Sequence, residues 1–305
     1  DEYVNRSTIR RVAERCYLPM NHLIMDLIKR YGTNFKVSFS ISGSALEQFA
    51  LHAPEVIESF KELAKTGSVE FLAETYAHSL ASLSDTDEFE RQVQRHAAKM
   101  EELFGQKPVT LRNSSLIYSD QIGERVAAMG FESMLTDGAK HVLGWKSPNF
   151  VYTNVMNPRL KLLLKNSRLS DDLTLRFSDH SWHEWPLTAD KYARWLKDST
   201  QDSEIVNLFM NYETFGENQL AETGIFEFMR SLPEYIFSTT DFEFQTPSEA
   251  VKKHQPVAPL HVPYPISWAD EEKDITGWLG NELQNEAFEE LFKIQPKVEA
   301  LNDPE

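Results

Sequence analysis

Residues 207–219 read NLFMNYETFGENQ, and this stretch decides the fold. Ile205, Val206, Leu208, Phe209 and Met210 form a near-continuous apolar run, the pattern of a parallel strand covered by helices on both faces. Asn211, Tyr212, Glu213, Thr214, Phe215, Gly216 and Glu217 follow at once. Polar side chains crowded at the C-terminal end of a parallel strand are how α/β enzymes build sites, because the strand holds them still while the loop opens to substrate.

Outward from this stretch, strand and helix signals alternate. A helix capped at Ser7 or Thr8 carries Ile9, Val12, Cys16, Met20, Leu23 and Leu27 at helical spacing and closes near Gly32. Residues 35–41, FKVSFSI, alternate as a strand does. A helix from Ala45 to Lys65 restarts at Pro54, and Val69 to Ala73 is a short strand ending in Glu74. Helices are expected from Asp87 to Phe104, Asp120 to Met129, Ala189 to Lys197 and over 221–231, with strands at Val109–Asn113, Ser133–Thr136 and Tyr235–Thr240. A looser, strand-rich insertion is expected over 141–185. So many alternations imply a parallel sheet with crossover helices, nearer a TIM-like (β/α) barrel than an open sheet. Prolines at 247, 256, 259, 263 and 265 then precede a helical run, Ala269 to Phe292. We therefore expect a barrel over 1–245 and a small helical C-terminal extension over 246–305.

With 305 residues, 41% hydrophobic and 26% charged, the composition is that of an ordinary soluble protein. A balance of 31 basic against 47 acidic residues gives a net charge of −16, which disfavours a phosphate backbone, so no nucleic-acid partner is expected. Neutral sugars fit that charge. Cys16 is the single cysteine, which excludes an internal disulfide and a cysteine metal cluster. No stretch has the length and apolarity of a membrane span, and the chain opens on DEYVNRST without an apolar leader, so a cytoplasmic setting is expected.

The ends of the expected strands carry Ser42 and Ser44, Glu74 with His78, Arg112 with Asn113 and Ser115, Asp137, and Asn211 with Glu213. In a barrel these converge on one face. Tyr76, Tyr118, Trp145, Tyr212, Phe215, Trp268 and Trp278 add aromatic faces. Carboxylates and amides for hydroxyls, with rings for pyranoses, suit carbohydrate. Glu74 and His78, spaced i and i+4, supply only two metal ligands, too few for a site, and no metal is expected. His180 and His183 in DHSWHEW read as loop residues.

Segments FLAETYAHSLASL (71–83), LRNSSLIYSD (111–120), MNYETFGENQ (210–219) and ISWADEEKDITGWLGN (266–281) resemble the α-amylase branch of glycoside hydrolase family 57. The likeness extends to GAKHVLGWKSPN (138–149) and PLTADKY (186–192). It implies an incomplete, seven-stranded (β/α) barrel followed by helices, an α-glucan or maltooligosaccharide partner and no cofactor. It also implies a substrate groove formed by Glu74, His78, Arg112, Asn113, Tyr212, Trp268, Asp270 and Trp278.

The departures from the family are informative. Its members use a glutamate nucleophile in a motif like RNTEL and an aspartate acid/base in a motif like MDYETFGE; here those positions are Ser115 and Asn211. The opening HQP strand is absent from its place, and the triplet His254, Gln255, Pro256 reads as a coincidental loop. Retaining hydrolysis needs two carboxyl groups about 5 Å apart. Neither serine nor asparagine supplies one, so lost or strongly reduced hydrolysis is expected, with Glu213 the substitute carboxylate if an active hydrolase or transferase persists. A metal-dependent polysaccharide deacetylase is the third reading. The sequence leaves the oligomeric state open.

Overall fold

The structure, a computed structural model, describes residues 2–84 and 86–301. The extreme ends of the two expected ranges, residues 1 and 302–305, lie outside the described residues. The chain opens with α1 (Glu2–Val12), a π-helical turn (Ala13–Tyr17) and α2 (Leu18–Tyr31). The expected cap at Ser7 or Thr8 is corrected: the helix begins at Glu2, and the Ser7 hydroxyl donates to the Val4 carbonyl inside it. Then follow β1 (Val37–Phe39), α3 (Gly43–His52), α4 (Pro54–Ala64), β2 (Val69–Phe71), α5 (Glu88–Phe104) and β3 (Thr110–Arg112). Ser42 caps α3 by accepting from the Ala45 amide, and Pro54 starts α4, where its missing N–H costs nothing.

Next come α6 (Asp120–Ala128), β4 (Ser133–Asp137), α7 (Lys140–Leu143), β5 (Tyr152–Asn154), β6 (Lys161–Lys165), α8 (Ser167–Thr174), α9 (Ala189–Asp198) and α10 (Ile225–Thr239). The expected strand at Tyr235–Thr240 is corrected to the end of α10. Ile225, Phe228, Leu232 and Ile236 recur at helical spacing and bury one face, which overrides the short apolar run. The insertion over 141–185 mixes β5 and β6 with α7 and α8. After 246 come α11 (Pro247–Lys253), β7 (Ala258–Leu260), α12 (Thr276–Leu279) and α13 (Glu282–Leu301), so this stretch supplies a strand as well as helices.

β1 and β2 pair in parallel. A second sheet runs β3-β4-β6-β5-β7, joined to the first by a bridge between Ala73 and Leu111. β3, β4 and β6 are parallel; β5 is antiparallel to β6, which corrects the all-parallel expectation. The short link from Asn154 to Lys161 is the reason, since a hairpin joins antiparallel neighbours whereas parallel ones need a long crossover. Every residue of β4 is buried, as a central strand between helical layers requires.

The stretch 205–210 has no regular secondary structure and is only half-buried beyond Ile205, and it joins no strand ladder among the described residues, which corrects the buried strand expected there. It is tied to the end of β6 instead: the Asn166 amide donates to the Asn207 carbonyl (2.9 Å), and Asn207 Nδ2 donates to the Leu164 carbonyl (3.0 Å). The core is thus barrel-like, and no strand ladder closes it among the described residues. Leu72, Leu116, Leu135, Leu163 and Ile205 pack with Phe209 and Trp268 in one cluster, and a larger cluster lies under α2, α4, α9 and α10. No described helix is long and apolar enough to cross a membrane.

Candidate functional site

Glu74 is 1% exposed just past β2. Ser40 Oγ donates to its Oε1 at 2.9 Å, His78 Nδ1 lies 2.9 Å from its Oε2, and an Arg112 guanidinium nitrogen lies 3.7 Å from the same oxygen. The Glu74 amide donates to His96 Nδ1 (3.2 Å), so the proton of neutral His96 sits on Nε2, which meets the Ile41 carbonyl at 2.7 Å. Burial holds His96 below the usual histidine range. For Glu74, burial pushes the carboxyl up, but the hydrogen bond from His78 and the charges of Arg112, His78 and His96 outweigh it and hold the carboxyl below the ordinary range.

Arg112, the last residue of β3, feels both Glu74 and Glu213; burial lowers its affinity for the proton and the two carboxylates oppose that. Its guanidinium carbon lies 4.8 Å from the Trp268 ring centroid, and Lys165 Nζ lies 5.3 Å from the same centroid. Both are within cation–π range. The Trp268 amide donates to the Ser115 carbonyl at 3.0 Å, which fastens this indole beside the end of β3. Ser115 itself is half-buried with φ 48° and ψ 30°, and Leu116 follows at φ 54°. Two successive left-handed residues cost backbone strain.

Glu213 accepts a 2.5 Å hydrogen bond from the Tyr17 hydroxyl in the π-helical turn. Burial first, then the Glu213 charge, pushes both the Tyr17 hydroxyl and the Cys16 thiol well up. Beside it, Tyr212 turns inward: its hydroxyl donates to Asn21 Oδ1 (2.6 Å), and its ring stacks on Tyr17 (6.1 Å) and meets Phe39 edge-on (5.2 Å). Tyr212 therefore packs as a core ring, unlike the sugar platform expected.

A third carboxylate, Asp137 at the end of β4, accepts from Ser167 Oγ (3.2 Å) and lies 3.8 Å from Lys273 Nζ. Burial pushes its carboxyl up, against the pull of Lys273, Lys165 and Ser167. Lys165 pairs with Asp171 at 2.9 Å. Sequence reasoning does not find Tyr17, Lys165 and Lys273. Lys165 closes the buried KLLLK strand and was findable by the strand-end rule; Tyr17 and Lys273 reach the cluster from a helix and from a charged loop and carry no local signal.

The remaining predicted residues divide. Asn113 is buried and braces the turn, its Nδ2 donating to Ser82 Oγ (2.8 Å) and the Ile117 carbonyl (2.9 Å). Asn211 and Asp270 are exposed. Trp278 packs on the cluster of Leu111, Ile122, Met134 and Leu162, apart from Trp268. Asp120 accepts from the Val262 amide (2.9 Å) and meets His261 Nδ1 (2.7 Å), tying α6 to the segment after β7. His254 follows α11 and lies 3.3 Å from Glu204. The structure thus links Glu74, His78, Arg112, Trp268 and Ser115 by direct contacts, with Glu213 close enough for its charge to act on Arg112. A cleft of about 1090 Å³ lies elsewhere, lined by Tyr31, Lys36, Phe242 and Phe244, and none of the predicted site residues faces it.

The fold agrees with what the comparisons give. Residues 1–263 match the family model described as glycosyl hydrolase family 57, and the chain belongs to that family. It is 44% identical over 297 residues to a Methanocaldococcus jannaschii protein provisionally named alpha-amylase, a match covering 96% of this chain and 62% of that relative's length. The 4-alpha-glucanotransferase of Thermococcus litoralis superposes with a TM-score of 0.70 at 17% identity, covering 86% of this chain and 40% of that one. The family 57 branching enzyme of Thermococcus kodakaraensis gives 0.72 at 12% identity, covering 92% and 72%. These structures share the fold.

Proposed function

We propose that this chain binds α-glucan, as a linear maltooligosaccharide, at the C-terminal ends of its strands, with hydrolysis lost or strongly reduced. The observation that carries the reading is the pair Ser115 and Asn211 at the positions where the family's motifs have carboxylates. Serine is too short to form the glycosyl ester of a glutamate, and asparagine donates no acidic proton. Losing either member of such a pair costs orders of magnitude, because the two act as a unit.

The binding half of the reading is supported by Arg112 set against the Trp268 ring with Glu74 beside it and the charge of Glu213 acting on it, donors and acceptors for hydroxyls next to an aromatic face. Engagement of Glu213 by the Tyr17 hydroxyl favours a positioning role for it over takeover of the acid/base step. An active hydrolase or transferase using Glu213 is the second reading. A metal-dependent deacetylase draws less support, since no group of three or more His, Cys, Asp or Glu among the described residues is placed to hold a metal ion. The single cysteine fits a reducing, cytoplasmic setting.

Sensitive product analysis on maltooligosaccharides, with calorimetry on the same ligands, tests both halves. The expected result is binding without turnover. Release of shorter sugars at ordinary enzymatic rates sinks the first reading in favour of the second.

A further inference from the structure

Between α8 and α9, residues 178–186 read SDHSWHEWP and carry no Leu, Ile, Val or Met. The loop is nonetheless firmly built. Asp179 Oδ1 accepts from the Ser181 amide (2.8 Å) and hydroxyl (2.6 Å), and the Trp182 and Trp185 amides donate in turn to the Asp179 and Trp182 carbonyls. Trp182 meets Trp195 of α9 edge-on at 5.9 Å. Lys191 clamps Glu184 through both its carbonyl (2.7 Å) and its carboxylate (2.6 Å). This scaffold leaves Trp185 41% exposed with the His180 ring stacked on it, centroids 4.1 Å apart and planes 22° from parallel.

A firmly held indole, backed on one side by the His180 ring and 41% exposed, presents a flat aromatic surface of the kind a sugar ring covers. The neighbours choose the partner. Around the ring the loop offers carboxylates and hydroxyls and no Leu, Ile, Val or Met, the lining of a site for a hydroxyl-rich ligand. Asp179 and Glu184 repel an anionic ligand. A pyranose satisfies both features: its C–H face covers the ring while its hydroxyls meet Asp179, Ser181 and Glu184. No hydrogen bond, ion pair or ring contact joins this loop to Glu74, Arg112, Glu213 or Trp268 among the described residues.

We propose that the Trp185–His180 pair is a second carbohydrate site, taking hexopyranose units of a glucan chain outside the strand-end cluster. The choice of an α-linked chain rests on the proposed function above; the platform does not.

Native electrophoresis of the whole chain in gels containing glycogen, with a β-linked glucan in parallel gels, tests this. Trp185→Ala is expected to weaken retardation by glycogen about tenfold in apparent Kd with unchanged thermal unfolding, and Trp185→Tyr to keep most of it. Retardation unchanged in Trp185→Ala but lost in Trp268→Ala overturns the platform and leaves the proposed function standing. Loss in Trp185→Ala with none in Trp268→Ala supports the platform and counts against the strand-end groove. Retardation by the β-linked glucan alone overturns the α-glucan assignment. A wild-type chain that neither polymer retards overturns the platform.

Discussion

The Tyr17 hydroxyl donates a 2.5 Å hydrogen bond to Glu213 Oε1, so the helical N-terminal segment holds the carboxylate that follows Asn211. A hydroxyl bonded to a charged acceptor contributes about 1.5–3 kcal/mol when sheltered, and the half-buried setting puts this one near the lower bound. Tyr17→Phe is expected to cost about 1.5 kcal/mol in urea unfolding. In a double-mutant cycle with Glu213→Gln most of that should appear as coupling. Coupling close to zero would show that Glu213 is held by other groups.

Glu74 makes the chain acid-sensitive. Its folded carboxyl sits below the unfolded value, so its contribution is fully present above about pH 4.3 and is lost as the pH falls through the lower folded value. Glu74→Gln leaves buried Arg112 with Glu213 as its remaining carboxylate. We expect a loss of about 3 kcal/mol at pH 7, shrinking as the pH drops toward the acid transition. A penalty of equal size at pH 7 and at pH 3 would mean that packing, not charge, is what Glu74 supplies.

Asp137 has the opposite sign. Burial raises its folded value above the unfolded one, so it is neutral in both states below about pH 3.9 and increasingly unfavourable as the pH rises through the folded value. Asp137→Asn is therefore expected to be neutral or stabilising at pH 7, despite removing the partner of Lys273. Urea unfolding that shows a loss as large as that of Glu74→Gln would overturn this assignment.

Where the sequence was read well, the signal was local. β2, β3 and β4 are short strands, VEF, TLR and SMLTD, bounded by turn residues, and the side chains at their ends, Glu74, Arg112 and Asp137, can be named from the sequence. Tyr235 to Phe237 misled because a three-residue apolar run has no period; the helical repeat shows only when Ile225 and Phe228 are counted with it. Tyr212 sits in a polar motif yet packs on Tyr17 and Phe39, residues distant in sequence, so its inward turn was not readable from its neighbours. The same holds for Tyr17 and Lys273, which reach the cluster only once the chain has folded.

The last prediction follows from what the Ser115 and Asn211 side chains lack. Retaining chemistry splits glycosyl transfer into ester formation and ester hydrolysis, and each half needs a nucleophilic carboxylate and a proton-cycling carboxyl together. Ser115→Glu alone supplies an ester-forming group with no acid to protonate the leaving sugar; Asn211→Asp alone supplies the acid with nothing to attack. Each single variant is expected to stay close to the wild-type background, and the double variant to gain at least about a thousandfold over either, since the pair acts as a unit. The backbone at Ser115 lies in the left-handed region, so the double variant must also fold, which thermal unfolding reports. Wild-type turnover matching the double variant would mean that Glu213 or another carboxylate already does the work. A folded double variant with no turnover, yet with maltooligosaccharide binding intact, would mean that the two β-carbons are no longer spaced as a retaining pair.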